Sequence, residues 1–134
     1  MPEPTMTDEQ LIHYFEAGQE PPAGFHHAEH VRVAWWYLRR QPWVTALDRF
    51  RTGLRRFAEA QGSPERYHET ITTAYVLLIN ERLTVADREL AWEAFAERHL
   101  DLLAWKPSIL DRYYRPDTLQ SDRARTVFVF PDAR

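Results

Sequence analysis

His26, His27 and His30 share the short segment Phe25-His26-His27-Ala28-Glu29-His30, and His68 stands with Glu69 in Tyr67-His68-Glu69-Thr70. Imidazole is the side chain best suited to move protons near neutral pH and a common metal ligand. Helical spacing decides where these rings point. Val31, Ala34, Trp35 and Leu38 set an inward stripe, and counting back three or four residues puts His27 and His30 on it, with His26 beside them. In the second segment, Ile71, Tyr75 and Leu78 count back to His68. A buried imidazole needs a partner for each ring nitrogen. Several converging rings are satisfied together by a shared metal or by Glu29, Glu69 or Glu81.

His26 and His30 are four apart, as in the His-Glu-x-x-His zinc helix, but here the Glu directly precedes the second His. Imidazole and carboxylate suit Zn, Fe, Mn or Cu, and the absence of cysteine leaves nothing to narrow that choice. The spacing predicts a small metal-dependent enzyme acting on a small organic substrate. His30 and His68 would share the ion, with His26 as third ligand and His27 in reserve. Glu69, Glu29 and Tyr67 are the expected catalytic or orienting groups, and Tyr75, Thr72 and Trp35 the expected wall of the binding site. Thr72 is favoured among Thr70, Thr72 and Thr73 because it follows His68 by four. Tyr14, Tyr37, Tyr113 and Tyr114 could line the same cavity. Two alternatives stand beside this reading: a metal-free histidine acid–base enzyme, and a non-catalytic helical module for ligand binding or assembly. His99 reads as structural.

Other chemistries lack their signatures. The four glycines form neither a phosphate loop nor a dinucleotide fingerprint, and there is no Gly-x-Ser-x-Gly elbow. Glu65-Arg66-Tyr67-His68 offers one Glu-x-x-His, but a dimetal four-helix bundle needs two. Seventeen basic residues, Lys106 the only lysine among them, face twenty acidic ones for a net charge of −3. With no basic stripe, nucleic acid is excluded as a partner. No apolar run is long enough to span a bilayer. The acidic, Pro-rich stretch Met1–Asp8 is unlike a signal peptide, so the cytoplasm is the expected location. A small molecule is the expected partner, and an apolar face could also carry a homodimer.

The elements that must hold these residues are helical. At 134 residues the chain fits one domain. Thr7, three before Gln10, opens a helix that stops near Gly18, and Pro21-Pro22 makes the next stretch a loop. Further helices are expected over about 27–40 and 43–60, the latter on Ala46, Leu47, Phe50, Leu54 and Phe57. Ser63-Pro64-Glu65 should open the fourth helix, running to about Leu83. A fifth should start at Thr84 and reach about Leu103, with shorter pieces over 109–114 and 117–125. The whole is predicted to be an all-α, compact single-domain bundle of about five to seven helices with short connections. Residues 1–6 should be loose, and the apolar tail over 126–131 should pack on the core.

Overall fold

Thr7 caps the first helix as its spacing requires. Its hydroxyl accepts from the Gln10 N–H at 3.1 Å, and its own N–H donates to Gln10 Oε1 at 2.9 Å. The computed structural model describes residues 6–133, so of the start expected to be loose, 1–6, all but Met6 lies outside the described residues, and Met6 packs against the core. The helices are α1 (Asp8–Ala17), α2 (His27–Arg40), α3 (Trp43–Ala60), α4 (Glu69–Arg82), α5 (Trp92–Arg98), α6 (Leu100–Leu103), α7 (Pro116–Leu119) and α8 (Asp122–Thr126). Tight 3-10 turns occupy Pro64–Arg66, Asp87–Glu89 and Ile109–Arg112. No sheet forms among the described residues; one isolated bridge joins Trp105 and Ser108. The chain is a single-domain all-α bundle.

Three boundaries differ from the sequence reading. The Ser63-Pro64-Glu65 signal starts only a 3-10 turn, and α4 begins at Glu69 with His68 as its N-cap. The stretch 84–103 is not one helix, because Leu90 and Ala91 are extended and His99 breaks the next turn. The segment over 117–125 likewise divides at Gln120-Ser121, where the Ser121 hydroxyl caps α8 by accepting from the Ala124 N–H. The helix count therefore exceeds seven.

α1, α2, α3 and α4 form the core. Ala46, Phe50, Gly53 and Phe57 recur at helical spacing as the buried side of α3. Gly53 lies directly under the Phe15 ring, which stacks between Phe25, Phe50 and Phe57. α4 packs against α2, α3 and α8, and residues on most of its circumference are buried, including Thr70, Thr72, Thr73, Tyr75, Val76 and Ile79. Such an all-round interior helix positions side chains rigidly.

The tail after α8 is tied down chiefly through its backbone. Thr70 Oγ1 donates to the Val127 carbonyl at 2.8 Å and accepts from the Val129 N–H at 3.1 Å, and Tyr114 donates to the Val129 carbonyl. Phe128 packs on the core, whereas Phe130 is 80% exposed. Among the described residues no helix is long and apolar enough to cross a membrane.

Candidate functional site

The first turns of α2 and α4 come to the same end of the bundle and open on one cavity of about 780 Å³. Its wall includes His26, His27, His30 and His68, together with Tyr67, Thr72 and Tyr75. All four predicted imidazoles therefore face one space. Their hydrogen bonds give them different roles.

His68 is fully used by the backbone. Its Nδ1 accepts from the Ile71 N–H at 3.1 Å, which caps α4, and its Nε2–H donates to the Leu119 carbonyl at 2.7 Å. A carbonyl only accepts, so the ring is the neutral Nε2–H tautomer with no lone pair left over. Burial lowers its pKa, the Leu119 carbonyl opposes that, and the Arg125 charge lowers it further. Its role is to fasten the start of α4 to the end of α7.

His27 donates Nε2–H to the Leu102 carbonyl at 2.9 Å, which leaves Nδ1 as the acceptor nitrogen. Its ring lies edge-on to Tyr75 at 4.7 Å and beneath Trp105 at 4.8 Å. Burial lowers its pKa, partly offset by the Leu102 carbonyl and Glu29. The His30 ring packs at 4.5 Å on Phe25, and its two nitrogens make no hydrogen bond among the described residues. Burial first, then the neighbouring His27 and His26, push its pKa down to about 4. It is an uncharged imidazole at neutral pH. His26 is the N-cap of α2, and its backbone N–H donates to Glu29 Oε1 at 2.8 Å. Its ring sits so close to Gly24 that a Cβ there would lie 2.6 Å from Nε2, at a φ of +93° that already favours glycine.

Among the described residues no group of three or more His, Asp or Glu side chains is arranged to hold a metal ion. Of the expected ligand set, His68 has both nitrogens engaged by backbone groups. The predicted carboxylates are also committed elsewhere. Glu69 is buried and takes a forked ion pair from Arg51, a second contact from Arg55 at 3.2 Å and the Tyr67 hydroxyl at 2.6 Å. The Arg51 hydrogen bonds hold its carboxyl below the ordinary range, which favours the anion and ties it to α3. Glu29 stabilises the start of α2. Tyr67 lines the cavity, but burial and Glu69 push its hydroxyl up to about 12 and its proton is already donated. Trp35 is not on the wall: it is fully buried against Trp92 and Phe95, with the Arg39 guanidinium 4.5 Å over its ring. Tyr14, Tyr37, Tyr113 and Tyr114 are also absent from the wall; Tyr37 donates to Glu16 and Tyr114 to the tail.

Thr72 and Tyr75 do reach the cavity. The Tyr75 hydroxyl shares a 2.6 Å hydrogen bond with Ser108, which fixes the ring beside His27. Phe25, Val31, Ala34, Leu54 and Ile79 supply much of the remaining wall, so the space is mainly apolar with few polar groups, the usual make-up of a small-molecule site. A second buried polar cluster lies outside this cavity. Asp87 pairs with Arg98 at 3.0 Å and His99 at 3.3 Å, and Arg82 bridges His99 to Asp101. Every charge in it has a partner, consistent with the structural role expected of His99.

Spacing gave no signal for Trp105, Arg66 or Arg125, all of which line the cavity. Each arrives from a loop, a 3-10 turn or a short late helix. No protein-family model, curated protein or solved structure matches the chain.

Proposed function

We propose that this domain binds a small, largely apolar organic molecule in the cavity between α2, α3 and α4. Uncharged His27 and His30 serve as its hydrogen-bonding groups, with no metal in the site. The observation that carries this reading is His30. Its imidazole is half-buried, has no hydrogen-bond partner among the described residues and faces about 780 Å³ of space. A polar ring that no protein group engages and that opens on a mainly apolar cavity is the group a ligand would meet.

A catalytic reading has one observation in its favour. The Leu102 carbonyl fixes the proton of His27 on Nε2, leaving Nδ1 basic and the ring held in place. In that reading His27 takes a proton from the bound molecule.

Titration with Nile red, an uncharged apolar dye, tests the binding site. Ala34→Phe and Leu54→Trp both fill the cavity from its walls. Each is expected to weaken dye binding by at least about tenfold while helicity by circular dichroism is kept. Equal affinity in the parent and both folded variants would overturn the proposal. Elemental analysis of untagged protein checks the metal-free part. Stoichiometric Zn, Fe, Mn or Cu would restore the metal expectation.

A further inference from the structure

The charges around the cavity are one-sided. In a chain of net charge −3, its wall contains two guanidinium groups, Arg66 and Arg125, and no Asp or Glu. Arg51, Arg55, Arg82 and Arg98 each have a carboxylate within 4.0 Å; among the described residues Arg66 and Arg125 have none. Their placement is built rather than incidental. Arg125 Nη1 donates to the Glu65 carbonyl at 2.8 Å, which holds α8 against the 3-10 turn that carries Arg66. The Arg125 charge also reaches the His68 ring. Ser63, on the same stretch of wall, has a hydroxyl that caps nothing. Both arginines are exposed, whereas Ala34 and Ile79 are buried, so the cationic groups form the rim and the apolar groups the floor.

We infer that the ligand is an amphipathic organic anion, its apolar body on the cavity floor and its carboxylate or phosphate head at Arg66 and Arg125. This rests on the binding role proposed above. Guanidinium forks match both oxyanions in geometry, and the lack of any wall carboxylate removes the repulsion an anion would otherwise meet. A cationic amphiphile is disfavoured by the same charges, and a neutral one gains nothing from them.

The test compares decanoate, decyl phosphate, decanol and decyltrimethylammonium, all below their micelle concentrations, as competitors of Nile red. At low ionic strength both anions should bind about five- to tenfold more tightly than decanol, with the ammonium weakest. The relative strength of the two anions tells which head is preferred. R66A/R125A should bring decanoate level with decanol while leaving decanol unchanged, and R66K/R125K should keep most of the preference. Added salt should narrow the gap. Decanol binding as tightly as both anions to the parent would overturn the inference and leave the cavity's binding role standing. Failure of every probe, Nile red included, would overturn both.

Discussion

The acid sensitivity of folding provides a quantitative check on His30. Its folded pKa is about 4, against an ordinary value of 6.5. The unfolded chain therefore takes up a proton on this ring as pH falls through 6.5, while the folded protein resists until about 4. Stability contributed by the neutral ring is full above 6.5 and is lost progressively between 6.5 and 4. At about 1.4 kcal/mol per pH unit, the loss is about 3 kcal/mol over that window. His27 and His68, also depressed by burial, steepen the same limb, so the single-residue effect is read as a difference. His30→Leu keeps an apolar side chain of similar size against Phe25 and removes the titration. Urea unfolding followed by circular dichroism at pH 7.5, 6.5, 5.5 and 4.5 measures both proteins. The parent should lose about 2 to 3 kcal/mol more than His30→Leu across this range. Parallel stability curves would refute the neutral imidazole and the site argument built on it.

Gly53→Ala sets a helix-propensity gain of about 1 kcal/mol against a Cβ that would lie 2.5 Å from the Phe15 ring. That ring is hemmed in by Phe25, Phe50 and Phe57, so a net loss of about 1 to 2 kcal/mol is expected. It would read as a melting point lower by about 3 to 7 °C, and a raised one would show that the α1–α3 contact is loose. Thr70→Val removes both hydrogen bonds to the tail from a fully buried site and should cost about 1 to 3 kcal/mol. Limited trypsin digestion should then release the C-terminal segment sooner, and unchanged digestion would show that other contacts hold it. Glu69→Gln leaves the Arg51 charge without its counterion and should cost about 2 to 3 kcal/mol near pH 7 by chemical denaturation. Because the Glu69 pKa is lowered, its contribution is present above the ordinary carboxylate range and fades as pH falls through its folded pKa. A parent–variant gap that instead widens in acid would contradict the pairing.

Much of the scaffold was legible because local signals agreed with the packing. Thr7 with Gln10, the α3 stripe and the start of α2 each follow from short-range spacing. The spacing argument also turned His27, His30 and His68 inward, to the same end of the bundle. What it could not supply was the partners. The Leu102 and Leu119 carbonyls that accept hydrogen bonds from the His27 and His68 N–H groups lie 75 and 51 residues further along the chain. Without them, a metal looked like the natural way to satisfy several buried imidazoles. Glu69 likewise came without its partners, because Arg51 and Arg55, one turn apart on α3, lie 18 and 14 residues earlier in the chain. Trp35 was rightly placed inside, but an inward stripe does not say whether a ring meets a cavity or the Trp92 and Phe95 side chains. At α4, Ser63-Pro64-Glu65 carries the stronger local start signal. His68 prevails as the cap because its ring is also anchored across the fold.

Trp105 stands half-exposed on the loop after α6, over His27 and Tyr75. It lines the main cavity and also a second, smaller recess formed with Lys106, Ser108 and Asp111. The indole, together with Ile71, thus borders both compartments. It is also an optical probe set where the ligand would arrive, while Trp35 is sealed in the core. Loss of the Trp105 contribution in Trp105→Phe would separate its emission from that of the other four indoles. The protein would then report the occupancy of its own cavity by fluorescence, without an added label.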